Sequence, residues 1–142
     1  MHNLHPQLQK DCLHLGRFQL CQLLLMDDCR YPWFILVPDR EEIREIYQLE
    51  ASDRRLLLDE SCLLSEFLME AYAGDKLNVA ALGNQVPQLH LHHIVRYATD
   101  AAWPAPIWGL ASAEAYGPSA IEEIRTLFST AALPGFVPFA DA

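Results

Sequence analysis

Apolar side chains fall along this chain in two different rhythms. Residues 18 to 26 (FQLCQLLLM) are a dense apolar run stopped by Asp27 and Asp28. Residues 33 to 38 (WFILVP) are a second run, rich in aromatic and β-branched side chains and closed by Pro38. Both read as strands. The intervening Cys29-Arg30-Tyr31-Pro32 suits a hairpin loop, so antiparallel pairing is expected. Helical spacing begins next. Asp39 is placed to cap a short helix with Glu41 and Glu42 in its first turn and Ile43, Ile46, Tyr47 and Leu49 on its apolar side. Ser52 is placed to cap a longer helix, in which Leu56, Leu57, Leu63, Leu64, Phe67, Leu68 and Ala71 recur at helical spacing until Gly74. Two further strands are predicted over 77 to 82 (LNVAAL) and 88 to 95 (QLHLHHIV), with Gly83-Asn84 as the turn signal between them. Beyond Arg96 the chain is irregular through Trp103, Pro104, Pro106 and Trp108. The capping box Ser119-x-x-Glu122, followed by Ile124, Leu127 and Phe128, then predicts a last helix.

Two hairpins with helices inserted between them imply an α+β fold, not alternating βαβ units. The expected architecture is an antiparallel sheet of about five strands, with two main helices on one face and a C-terminal helix added. No repeat and no linker divides the chain, so residues 1 to 142 read as one domain with a core over about 18 to 108 and an extension over 109 to 142.

Composition narrows the function classes. At 51% hydrophobic and 20% charged the chain is neither disordered nor low-complexity. Ten Lys plus Arg against nineteen Asp plus Glu give a formal charge of -9. That balance argues against tracking a nucleic-acid backbone, while leaving room for a small phosphorylated ligand in a local pocket. No apolar run has the length of a membrane span, and the N-terminus lacks the apolar core of a signal peptide. Cys12, Cys21, Cys29 and Cys62 form no C-x-x-C pair and read as reduced thiols, which fits a cytoplasmic protein.

Candidate chemistry concentrates in residues 88 to 95. Strand alternation puts Gln88, His90, His92 and Ile94 on one face, and Leu89, Leu91, His93 and Val95 on the other, mostly apolar face that should meet the helices. His90 and His92 are then about 6.8 Å apart along the strand, from its rise per residue. They are expected to line a solvent-facing cleft. The residues leave three readings open. The pair is idle, or it supplies two ligands of a metal site that lacks a third, or one imidazole attacks while the other handles charge or a proton at a leaving group. His93, on the opposite face, is expected to be a partly buried histidine satisfied by a backbone group.

The stretch Asn84-Gln85-Val86-Pro87-Gln88-Leu89-His90-Leu91-His92-His93-Ile94-Val95-Arg96 resembles the signature of the histidine triad (HIT) superfamily. The hairpin with Asp27-Asp28 and Tyr31-Pro32-Trp33-Phe34-Ile35-Leu36-Val37-Pro38 is similar to that family's nucleoside-binding hairpin. The resemblance implies a nucleotide hydrolase or nucleotidyl transferase acting at an α-phosphate. His90 is then the nucleophile and His92 the contact to the phosphate and leaving group. Gln88 stands where the family's first histidine stands, and is expected to orient the site without changing charge. Asn84 and Gln85 take the place of its phosphate-contacting Gln and Ser/Thr. Asp28, or else Asp27, is expected to hold the ribose; Arg96 adds positive field or forms a surface ion pair, and Trp103 lies near the ligand or packs a core or dimer. No metal or other cofactor is demanded. The alternative from a different class is a nucleotide-binding module with weak or lost catalysis. The resemblance also implies a homodimer. Trp103, Trp108, Phe136 and Phe139 in the irregular C-terminal third are its expected interface aromatics, unless that segment folds back over its own sheet.

Overall fold

The computed structural model describes residues 3–110 and 112–139. The expected α+β class holds, with more elements than the apolar runs announce. The order is α1 (Pro6–Asp11), β1 (Cys12–Arg17), β2 (Cys21–Met26), β3 (Trp33–Pro38), α2 (Ala51–Tyr72), β4 (Lys76–Ala80), β5 (Leu91–Arg96), α3 (Pro118–Thr130) and β6 (Val137–Pro138). The strands form one sheet of six in the order β4-β5-β3-β2-β1-β6, with every neighbouring pair antiparallel. Both expected hairpins are present, β2 with β3 and β4 with β5. No helix is long and apolar enough to cross a membrane among the described residues.

Several local expectations fail for local reasons. Asp39 starts no helix: the chain there is a turn in which Glu42 takes φ 54°, and only a 3-10 turn over Ile46–Gln48 forms before α2. Glu50, not Ser52, is the N-cap of α2, so Ser52 lies in its first turn. The helix ends on Ala73 in the left-handed region at φ 49°. Gly74 serves instead for close approach, because a Cβ there would lie 2.3 Å from Val95 Cγ1. The Ser119-Glu122 capping box does not form either. Gly117 is the N-cap of α3, and Pro118, pre-set for a first helical turn, opens it without a side-chain cap.

Helices α2 and α3 cover one face of the sheet, with Leu57, Leu64, Leu68, Ile124 and Phe128 packed on Leu23, Leu25, Phe34, Leu36 and Val95. The tail folds back over this sheet. Strand β6 pairs with β1, and Phe136 rests on Phe18 and Phe128. Gly16 makes room for it, since a Cβ there would sit 2.4 Å from the Val137 carbonyl.

The opposite face is not the open surface that strand parity suggested. It carries a second apolar cluster of Leu8, Leu24, Tyr31, Trp33, Ile35, Val37, Val86, Ile94, Ala102 and Ile107. Its cover comes from α1 and from the irregular chain after Arg96. All six residues of β5 are therefore buried.

Candidate active site

Strand β5 begins at Leu91, so Gln88 and His90 lie in the approach to it rather than within it. The chain enters from Gly83, whose φ of 77° suits glycine, through Val86 anchored in the second cluster and Leu89 buried under the helices. Burying Leu89 turns His90 to the other side, beside His92. Their rings meet edge-on with centroids 4.8 Å apart, closer than an ideal strand would bring them.

Each imidazole has one nitrogen engaged, and the two are engaged in opposite senses. His90 Nδ1 lies 2.7 Å from the Gln88 carbonyl, which can only accept, so Nδ1 carries the proton and Nε2 keeps a free lone pair. His92 Nδ1 accepts the indole N–H of Trp33 at 2.9 Å, so its single proton sits on Nε2. One histidine thus presents a lone pair and its neighbour presents a donor. Burial, with His90 and His93 adding to it, pushes the His92 pKa down to about 3. Burial also lowers that of His90, against the opposing pull of the Gln88 carbonyl. Both rings are neutral near pH 7.

His93 has the expected backbone partner but is buried more deeply than expected. It is fully buried on the helical face, donating from Nδ1 to the Leu91 carbonyl at 3.1 Å and pairing through Nε2 with Ser61 Oγ at 2.7 Å.

Around His90 and His92 lies a cleft of about 370 Å³, lined also by Asn84, Gln85, Trp33 and Trp108 and by Gln7 and Asp11 of α1. A second hollow of about 460 Å³ adjoins it across Trp33, Trp108 and Met26, and is lined by Asp27, Asp28, Lys10 and Arg30. The structure therefore brings Asn84 and Gln85 to the histidines, with the two aspartates next door. Asp28 is buried, with both carboxylate oxygens held by Arg30 at 2.9 and 2.7 Å. Its burial would raise its pKa, but Arg30 and the N–H groups of Arg30 and Glu114 bring it below the ordinary value. Asp27 accepts the Tyr116 N–H at Oδ1.

Arg96 and Trp103 are elsewhere. Arg96 is neither a source of field at the cleft nor a surface ion pair. It is buried, bound to Asp100 at 2.8 and 3.0 Å, to Asn78 and to the Ala105 carbonyl. Its guanidinium lies between the rings of Tyr31 and Trp103. This knot shapes the loop that carries Trp108 to the cleft, because Asp100 also accepts N–H bonds from Ala102 and Trp103. Gln7 and Asp11 are cleft residues that sequence reasoning did not single out, and nothing in their spacing signals a site. Trp33 was expected only as part of the nucleoside-binding hairpin and Trp108 as an interface aromatic, yet both line the cleft. Among the described residues no three His, Cys, Asp or Glu side chains converge as a metal site would require.

With this geometry in place, the comparisons with known proteins are specific. The HIT domain family matches residues 7–99 of the chain. A solved histidine triad protein from Marinobacter aquaeolei VT8 is 49% identical, with a TM-score of 0.89 over 92% of this chain and 95% of that one. Histidine triad proteins from Bradyrhizobium japonicum and Sinorhizobium meliloti 1021 are each 38% identical with TM-scores of 0.88. Each covers 90% of this chain, over 96% and 95% of their own respectively. A comparison with the curated proteins found no match.

Proposed function

The chain belongs to the HIT domain family, and from that premise we propose that it cleaves a nucleoside phosphate derivative at the α-phosphate through a nucleotidyl-His90 intermediate. The observation that carries this reading is the opposed protonation of the two cleft histidines. His90 Nε2 attacks phosphorus as its bond to the leaving group breaks, and the leaving group takes its proton from solvent. His92, neutral at pH 7, does not transfer a proton. Its Nε2–H donates a hydrogen bond to a phosphoryl oxygen, and such a pre-set donor is worth most in a site shielded from water. Water then attacks the phosphorus and the P–Nε2 bond breaks, releasing a nucleoside monophosphate and restoring neutral His90, with the water's proton passing to solvent.

The remaining groups divide between the two hollows. Asn84 and Gln85 offer amide donors at the phosphate end. The nucleoside occupies the adjoining hollow, where Asp27 Oδ2 has no partner among the described residues and takes the ribose hydroxyls; Arg30 already holds both oxygens of Asp28. A homodimer is also proposed: Trp108 and Phe136 pack within the chain, but Trp103 and Phe139 after Arg96 stay exposed and are offered to a partner, as is Val79 on the free edge of β4. Light scattering at micromolar concentration tests that assembly.

The catalytic test is a panel of labelled adenosine and guanosine phosphoramidates, sulfates and dinucleoside polyphosphates, followed by product release and by label on the protein that survives alkali and is lost in acid, as a P–N bond to histidine is. Turnover and label in the wild type, with neither in His90→Ala, are expected. Equal turnover in both proteins would overturn the assignment of the nucleophile. Binding without turnover or label would make the chain a nucleotide-binding module.

A further inference from the structure

Gln88 serves two ends of one connection. Its main-chain carbonyl is the acceptor that fixes the proton of His90 on Nδ1, at 2.7 Å. Its side-chain amide points to the N-terminal stretch, where Oε1 accepts the His5 N–H at 2.8 Å and Nε2 donates to the Asn3 carbonyl at 3.3 Å. The amide thus pairs with an extended segment much as a neighbouring strand would, one donor and one acceptor against residues i and i+2. Among side chains of this length the amide sets a donor and an acceptor side by side, whereas a carboxylate accepts without donating and a methionine does neither well.

What the amide holds is a wall of the cleft. Pro6 opens α1 directly after His5, Leu8 is buried in the second apolar cluster, and Gln7 and Asp11 face the histidines, joined by a 2.8 Å bond from Gln7 Nε2 to Asp11 Oδ2. The far end of α1 runs straight into β1. The segment is therefore tied at one end by the sheet and at the other by Gln88.

We infer that Gln88 is a positioning residue: by locking Asn3–Asp11 as a wall of the cleft, it holds in place the carbonyl that sets which nitrogen of His90 can attack. This rests on the reading of His90 as nucleophile. It adds that the N-terminal segment belongs to the catalytic apparatus. A lock of this kind is coupled, so breaking it from either side has the same effect and breaking both sides adds little.

His5 permits a clean break. Its φ of −53° suits proline, so His5→Pro removes the N–H that Gln88 accepts with little backbone strain. His5→Ala is the reference for the side chain alone: it loses the ring that caps α1 by accepting the Gln7 N–H but keeps the main-chain N–H that Gln88 accepts. Gln88→Met removes the amide at nearly constant volume. Four proteins (His5→Pro, Gln88→Met, their double variant and His5→Ala) are compared with wild type. The measurements are kcat and KM, the ¹⁵N shifts of His90 and amide exchange over residues 7–11. The expected result is a kcat about tenfold lower in each single lock variant and no more than about tenfold lower in the double, as tight coupling requires. His90 ¹⁵N signals move toward a mixture of tautomers and exchange over 7–11 rises about tenfold in the lock variants, while His5→Ala, which keeps the N–H that Gln88 accepts, leaves the His90 tautomer unchanged. Additive losses approaching a hundredfold, or His90 signals unchanged in Gln88→Met, overturn the lock. If the wild type turns over nothing in the panel, the proposed activity fails, while the ¹⁵N and exchange measurements still decide the lock.

Discussion

Replacing Trp33 by Phe isolates the bond that distinguishes His92 from His90. Trp33 and His92 are 9% and 5% exposed, and the indole N–H is the donor found on His92 Nδ1, at 2.9 Å. Removing it leaves a buried acceptor unsatisfied, at a cost of about 1–3 kcal/mol. Shrinking indole to phenyl loosens the contact with Trp108, whose ring stands edge-on at 6.3 Å, and adds about 1 kcal/mol more. The sum is about 2–4 kcal/mol, or roughly 8–16 °C in Tm at about 4 °C per kcal/mol for a chain of this size. The chemical consequence is separable from the stability loss. In the wild type a proton on His92 Nδ1 would face the Trp33 N–H head-on. In Trp33→Phe that obstacle is gone and Nδ1–H becomes an accessible tautomer, while burial, His90 and His93 still hold the His92 pKa below the ordinary histidine value. Chemical denaturation measures the first effect, and ¹⁵N-detected titration of the histidine rings measures the second. A stability loss under about 1 kcal/mol together with unchanged His92 ¹⁵N shifts would refute the claim that Trp33 sets the tautomer.

Acid should weaken the fold through the same buried rings. His92 and His93 have folded pKa values of about 3 and about 4 against 6.5 when unfolded, so the unfolded chain binds more protons in that window. Stability is complete above pH 6.5 and falls as pH drops toward 4, by up to about 1.4 kcal/mol per pH unit for each ring. Urea titrations at pH 7, 6 and 5 read this slope directly, and a flat profile would contradict it. Asp100→Asn should cost at least about 3 kcal/mol, because it leaves the buried Arg96 guanidinium without its carboxylate. It should also lower affinity for nucleotide by releasing the Trp108 loop. Calorimetric unfolding and a binding titration check these two effects, and near-wild-type values in both would show the knot to be idle.

The fold class and the histidine pair were legible because they rest on local rules. The continuous apolar run WFILVP and the alternation in LHLHHIV, with turn residues between apolar runs, are enough to order strands and to separate His90 and His92 from His93. What escaped has physical causes. Strand β1 carries a register shift between His14 and Gly16, which breaks its alternation, and α1 is too short for helical periodicity to register. The second apolar cluster was missed because its cover is α1 and an irregular loop, neither of which announces a face. Trp33 became a site residue only through register: β3 sets it opposite Ile94, diagonal to His92, and no rule of spacing fixes the pairing of two strands so far apart in the chain.

The three neighbouring histidines also differ in what each has left to offer a ligand. Burial does not distinguish them: His90, His92 and His93 are 6%, 5% and 0% exposed, and all three pKa values are lowered mainly by desolvation. The difference is in nitrogens left unengaged. His93 has both occupied, one by a backbone carbonyl and one by Ser61, and so acts as a polar strut between sheet and α2. His90 and His92 each have one nitrogen tied and Nε2 turned to the cleft. Because strand parity sends His93 to the helical face and its neighbours to the other, a single residue of register slip would exchange these roles. The bond that prevents the slip is the β3–β5 ladder, in which Ile35 opposes His92 and Phe34 opposes His93. The apolar weight of Phe34 under the helices and of Ile35 in the second cluster therefore fixes which imidazoles can do chemistry.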